Sequence, residues 1–336
     1  MAQTAVPGRL VDSFGRVARD LRVSVTDKCN LRCAYCMPEQ GLEWIRSPQL
    51  LTGAELVRLI GIAVTRLGVT QVRLTGGEPL LRPDLPDIVG SVSALEPRPR
   101  LSLTTNGIGL ARFAGLLAQR GLRRVNVSLD TLDRGRFREL AKRDRLDDVL
   151  LGLEAAAASG LSPVKVNTVL MRGINDAEAP ALLQFCLDRG YELRFIEQMP
   201  LDPMHGWSRD NMVTADEILE MLGECWDLTA DPSERGAAPA QTWLVDGGPA
   251  KVGIVASITR PFCGDCDRAR LTADGQIRTC LFAREESDLR ALLRGGSTDE
   301  EIAGAWRVAA GFKAAGHGVN DPLFLQPSRP MSAIGG

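Results

Sequence analysis

Between residues 20 and 200, short strand-like runs alternate with amphipathic helical segments. No other feature restricts the fold so tightly. A strand, a helix and a second strand in succession pack as a right-handed parallel crossover with the helix outside. The pattern predicts strands over residues 21–25, 71–74, 101–103, 124–129, 164–170 and 192–196, and helices clearest over 52–67, 84–95, 110–120, 147–159 and 176–189. Thr52-x-x-Glu55 reads as a capping box, after which Leu56, Leu59, Ile60, Ala63 and Leu67 recur at helical spacing. Gly68, Gly121, Gly160 and Gly190 each stand just past a helix, as C-terminal stops. Six such units predict an α/β fold with a parallel sheet. A partial barrel and a doubly wound sheet share this pattern.

The unusual residues recur at the C-terminal ends of the strands, the edge where parallel α/β folds bind ligands. Cys29–Cys36 follows the first strand and Gly76-Gly77-Glu78-Pro79 the second. Thr104-Thr105-Asn106-Gly107 ends the third and Ser128-Leu129-Asp130 the fourth; Lys165 and Asn167 lie in the fifth, and Glu197-Gln198-Met199-Pro200 follows the sixth. Any one of these turns is ordinary, since Gly, Asn and Pro populate every loop. Together, at one edge, they make a site.

Beyond residue 200 the pattern loosens. Thr214-x-x-Glu217 caps a further helix, residues 231–239 form a Pro/Gly/Ala-rich linker, and short strands are expected over 242–245 and 251–256. Lys+Arg 40 against Asp+Glu 42 lacks the basic excess of a nucleic-acid binder. Residues 1–19 carry charges and no apolar core of signal-peptide type, and no apolar run reaches the length of a membrane span. The expectation is a cytoplasmic protein that binds neither nucleic acid nor membrane.

Six of the 8 cysteines fall in two triplets, C-x₃-C-x₂-C at Cys29, Cys33 and Cys36, and C-x₂-C-x₁₃-C at Cys263, Cys266 and Cys280. Three is an informative count. A structural zinc site takes four protein ligands, and a cubane iron–sulfur cluster usually takes one cysteine per iron. A triplet therefore leaves a position open to a small molecule. The alternative is zinc completed by a distant residue, for which the only histidines are His205 and His317. Between the later thiols lies Arg268-Ala269-Arg270; in a strand its two guanidiniums share a face, as an anion site needs. Cys186 and Cys225 stand apart and read as buried small hydrophobes.

The first triplet, with Tyr35 before its last cysteine, resembles the radical S-adenosylmethionine (SAM) enzymes. The paired triplets, the Arg-Ala-Arg between the later thiols and the Gly335-Gly336 pair narrow the resemblance to the GTP 3′,8-cyclase family of molybdenum cofactor biosynthesis, from about Leu21 onward. The resemblance implies a partial, six-unit βα TIM-like barrel over residues 1–200. A smaller, partly antiparallel extension over residues 201–336 carries the second cluster and the Gly-Gly tail.

It also implies two [4Fe-4S] clusters and SAM as cofactors. Cys29, Cys33 and Cys36 hold the first cluster, SAM takes its fourth iron, and Tyr35, Gly77, Ser128 and Met199 contact SAM. Cys263, Cys266 and Cys280 hold the second, whose open iron takes the purine of GTP. Arg22, Arg73, Thr104, Lys165, Arg268, Ala269 and Arg270 are the implied GTP contacts, with Thr105 and Arg194 as further candidates. Gly335 and Gly336 enter the site as catalytic contributors. The implied activity is that of a lyase. One electron cleaves SAM to methionine and a 5′-deoxyadenosyl radical, which takes the C3′ hydrogen of GTP and yields (8S)-3′,8-cyclo-7,8-dihydroguanosine 5′-triphosphate. A flavodoxin- or ferredoxin-type electron donor and a downstream cyclic pyranopterin monophosphate synthase are the implied partners, and a homodimer is admitted. The competing classes are a peptide-modifying radical SAM enzyme with two clusters and a zinc-binding interaction protein.

Overall fold

The computed structural model describes residues 8–335. Strands β1 (Asp20–Ser24), β2 (Gln71–Thr75), β3 (Arg100–Thr105), β4 (Arg124–Ser128), β5 (Val164–Val169) and β6 (Glu192–Ile196) lie side by side in sequence order, all parallel. Outside them run α1 (Gly53–Leu67), α2 (Leu85–Ser93), α3 (Leu110–Gln119), α4 (Arg134–Ala141), α5 (Leu146–Ala158) and α6 (Ala179–Arg189). The Thr52 capping box is formed, and Gly68 stops α1 in the left-handed conformation at φ 74°. Helix α4 was not legible as a separate element. Arg-Gly-Arg-Phe-Arg-Glu-Leu-Ala has a weak apolar stripe, and Asp133 starts it by capping the Arg136 N–H at 2.7 Å.

The C-terminal part does not stand beside this sheet as a separate layer. After α7 (Ala215–Gly223) and β7 (Leu228–Ala230) come β8 (Gln241–Val245) and β9 (Lys251–Val255), and β9 pairs parallel with β6. Strand β10 (Arg268–Leu271) pairs parallel with β1, at the opposite edge. Strands β11 (Gln276–Arg278) and β12 (Ser287–Asp288) extend that edge antiparallel, as β8 and β7 extend the other. The order β12-β11-β10-β1-β2-β3-β4-β5-β6-β9-β8-β7 leaves two free ends, so the barrel is partial. Helices α8 (Leu289–Arg294) and α9 (Asp299–Gly311) were not expected. α9 starts on its own capping box, Thr298 with Glu301, and buries Ile302, Ala303 and Trp306. A short α10 (Met331–Ile334) ends the described chain.

Alternation divides the strand residues between two environments. Leu21, Val23, Val72, Leu74, Leu101, Leu103, Val125, Val127, Val166 and Phe195 are buried in the apolar core shared with the helices. Their neighbours on the other face are polar: Arg22, Arg73, Ser102, Asn126, Lys165 and Arg194. An inner face this polar is a poor core and a natural ligand chamber. Of the two lone cysteines, Cys186 is buried as expected, whereas Cys225 is exposed. It lies in the turn between α7 and the edge strand β7, where no further layer covers it.

Candidate active site

The basic set is built by strand register. Arg270 on β10 is the Cα partner of Arg22 on β1, which is the partner of Arg73 on β2. Three guanidiniums therefore stand in one row on the inner face. Burial, reinforced by repulsion from neighbouring arginines, pulls Arg22 and Arg270 down to about 9 and Arg73 down to about 10. The carboxylate nearest Arg22, that of Asp20, is 3.9 Å away. Nε of Arg22 and of Arg73 are buried with no hydrogen-bond partner. Buried, underpaired cations cost stability unless something anionic arrives.

The row opens on a cavity of about 320 Å³ lined by all six cysteines of the two triplets. Tyr35, Gly77, Ser128 and Met199 line it, as do Arg22, Arg73, Thr104, Arg268 and Arg270. Thr105 and Arg194 border it too. The Thr105 hydroxyl donates to Glu78 at 2.7 Å, while Thr104 Oγ1 accepts from Asn126 Nδ2 at 3.1 Å. Two expected GTP contacts are placed elsewhere. Lys165 does not line the cavity, and its ammonium is bound to Glu192 on the adjacent strand. Ala269, between two inward arginines, points into the apolar core by the alternation that turns them inward.

The first triplet hangs in the loop after β1, against the Gly76-Gly77 turn. A Cβ on Gly77 would lie 2.3 Å from the Lys28 carbonyl oxygen, so only glycine lets the two loops meet. The Glu78 carboxylate holds the next turn, accepting from Thr105 Oγ1 (2.7 Å), the Asn106 N–H (2.7 Å) and the Leu80 N–H (3.0 Å); burial pushes it up to about 7. Asn106 in turn approaches Cys29 Sγ at 3.9 Å and donates to Asn30 at 2.7 Å. The Tyr35 hydroxyl donates to Asp130 at 2.7 Å. Asp130 was visible as the end of a strand turn, but its pairing with Tyr35, 95 positions away, had no local signal.

The second triplet is assembled from three places: Cys263 in a 3₁₀ turn, Cys266 just before β10 and Cys280 just after β11. Burial raises the Cys263 thiol. At Cys266 burial acts the same way, but Arg268 and Lys313 outweigh it and bring the thiol down to about 7. In the first triplet burial dominates, raising Cys29, lifting Cys33 well above the ordinary thiol range and pushing Cys36 up to about 12. Thiols held this way favour a bound cation, which offsets the cost of the thiolates.

The donor set fits a cluster better than a single ion. Among the described residues no three Cys, His, Asp or Glu side chains gather round one ion-sized point. A cubane spreads its ligands, one thiolate on each iron. His317 has both ring nitrogens engaged, Nε2 with the Ser257 carbonyl at 2.8 Å and Nδ1 with the Val319 N–H at 3.0 Å. His205 is exposed and does not line the cavity.

The tail returns to this chamber. Ser332, Ala333 and Ile334 are buried, and Met331 and Ser332 line the cavity beside Cys36. The Gly335 carbonyl accepts from Arg270. Gly336 lies outside the described residues.

Family models match two successive parts of the chain: the Radical SAM superfamily over residues 23–186 and Molybdenum Cofactor Synthesis C over residues 191–319. The chain is 65% identical over 328 residues to the GTP 3′,8-cyclase of Streptomyces coelicolor, covering 97% of this chain and 96% of that one. It is 60% identical over 333 residues to GTP 3′,8-cyclase 2 of Mycobacterium bovis, covering 98% and 92%. The crystal structure of Streptococcus suis SuiB bound to S-adenosylmethionine shares the fold at a TM-score of 0.60 and 14% identity, over 86% of this chain and 68% of that one.

Proposed function

Because this chain belongs to the GTP 3′,8-cyclase family of radical SAM enzymes, we propose a division of its single chamber between a SAM side and a GTP side. As a member it is an enzyme that uses SAM and an iron–sulfur cluster to convert GTP in molybdenum cofactor biosynthesis. The assignment of residues, and of a second cluster, is the proposal. Cys29, Cys33 and Cys36 hold the first [4Fe-4S] cluster. Cys263, Cys266 and Cys280 hold the second. Bound together, the first cluster and SAM supply one-electron cleavage of SAM and, from it, hydrogen abstraction at C3′ of GTP.

The protein's part is binding, orientation and exclusion of competing reactions. Arg22, Arg73 and Arg270, with Arg268, take the triphosphate; a polyanion relieves the repulsion within the row. The Arg268 guanidinium carbon also sits 4.7 Å from the Phe262 ring centroid, a cation–π contact. Thr104 lies beside them on the GTP side. Tyr35, held by Asp130, lies with Gly77, Ser128 and Met199 on the SAM side. Gly335 lies at the arginine row, its carbonyl accepting from Arg270, and the proposed tail contribution begins there. Lys165 reaches a phosphate only by leaving Glu192.

One observation carries this reading: both thiol triplets and the arginine row open on the same cavity. The experiment is anaerobic reconstitution with iron and sulfide, followed by iron counting and assay of GTP-dependent 5′-deoxyadenosine formation. Two cubanes require about eight iron per chain. About four iron, or 5′-deoxyadenosine formation indifferent to GTP, would overturn it.

Among the described residues no helix is long and apolar enough to cross a membrane. The reading includes work in the cytoplasm with a flavodoxin- or ferredoxin-type donor, delivery of product to a cyclic pyranopterin monophosphate synthase, and a homodimer as the candidate assembly.

A further inference from the structure

Lys313 is a buried cation that the division above does not use. It is 6% exposed, and none of its three hydrogen bonds goes to a carboxylate. Its Nζ donates to the Cys266 carbonyl at 2.8 Å, to the Arg268 carbonyl at 2.9 Å and to the Cys266 thiol sulfur at 3.3 Å. An ammonium has three N–H groups, and here each finds an acceptor.

The position is fixed from behind. Lys313 follows the end of α9, whose Trp306 is fully buried. The next two residues are held by Arg16, which donates to the Ala314 carbonyl at 2.6 Å and the Ala315 carbonyl at 2.9 Å. The same guanidinium donates to the Cys263 carbonyl at 2.7 Å and is held by Asp12 at 2.6 Å. Thus Arg16 and Lys313 grip the turn carrying Cys263 and Cys266. Neither lines the cavity, unlike Arg268 and Arg270.

We propose that Lys313 is a positioning residue of the second cluster, whose ammonium binds the Cys266 sulfur and raises that cluster's reduction potential. This rests on the reading that the second triplet holds a cluster. Hydrogen bonds to ligand sulfur and local charge both set such potentials. A reduced cluster carries one more negative charge than the oxidised one, and a fixed cation in a buried setting stabilises it. Because Lys313 sits outside the cavity, its effect falls on the cluster rather than on GTP binding.

The test is an anaerobic redox titration with dithionite, followed by electron paramagnetic resonance, on the reconstituted full chain. The second cluster's signal is the one that added SAM leaves unchanged. Lys313→Met and Lys313→Gln are compared with Lys313→Arg. The neutral variants are expected to shift the second potential negative by about tenfold in the oxidised-to-reduced ratio, ~59 mV for one electron. The first cluster's potential and GTP affinity should stay in place, and the arginine variant should lie near the parent. Loss of the second cluster in both neutral variants but not in the arginine one would also support the charge. An unmoved potential in intact neutral variants, or an arginine variant as disturbed as the methionine one, would overturn the proposal. About four iron in the parent would instead overturn the reading on which it rests.

Discussion

Arg270 donates to the carbonyl oxygen of Gly335, 65 residues further along the chain. Arg270 stands beside Arg22 in the row that continues to Arg73. The contact therefore ties the tail to the proposed triphosphate site, and it is made by backbone. A side chain at 335 is not used and has no room. Its Cβ would lie 2.6 Å from Ser24 Oγ and 2.7 Å from Thr75 Cγ2, at a φ of 71°.

Gly335→Ala should thus misplace the tail without harming the rest of the fold. The strain is about 1–3 kcal/mol, enough to displace a short terminal segment. We expect cyclised product to fall at least tenfold, with melting temperature and iron content near the parent values. Parent-level turnover in this variant would remove the tail from the mechanism.

Arg73→Met separates function from stability by sign. The guanidinium is buried, partly unpaired and beside other cations. Its removal should raise the melting temperature of the apoprotein while weakening GTP binding by about 1–3 kcal/mol. Titration calorimetry with GTP and with SAM checks this, the SAM affinity remaining unchanged. Equal losses for both ligands would count against a phosphate role.

Cys33→Ala should stop SAM cleavage and leave the second cluster in place, since the later thiols are assembled from other segments. The measurement is 5′-deoxyadenosine yield alongside iron content, with about four iron expected per chain. Parent-rate cleavage by this variant would reassign the first triplet.

Asp130 gives a pH signature in the apoprotein. Burial pushes its carboxyl up to about 6, against opposing hydrogen bonds from the Val169 N–H and the Tyr35 hydroxyl. Between about pH 4 and about pH 6 the folded chain keeps a proton that the unfolded chain has released. Stability from this group is whole below that window and is lost as pH rises through it. Melting curves of Asp130→Asn should be flatter over this range than the parent's. Parallel slopes would place the titration elsewhere.

The sequence by itself determined what is local or periodic. The βα alternation and the Thr52 and Thr214 capping boxes need only a few consecutive residues, and each formed as read. So did the inward turn of Arg268 and Arg270, which follows from the two-residue period of a strand. The tertiary structure decided which strands became neighbours. That β10 pairs with β1, and so sets Arg270 beside Arg22, depends on contacts between residues some 250 apart in the sequence. The same holds for Tyr35 with Asp130, for Lys313 behind Cys266, and for Lys165 turned to Glu192 rather than the cavity. Spacing along a chain fixes which face a residue occupies. What it meets there is set by packing across the sheet, which local sequence does not encode.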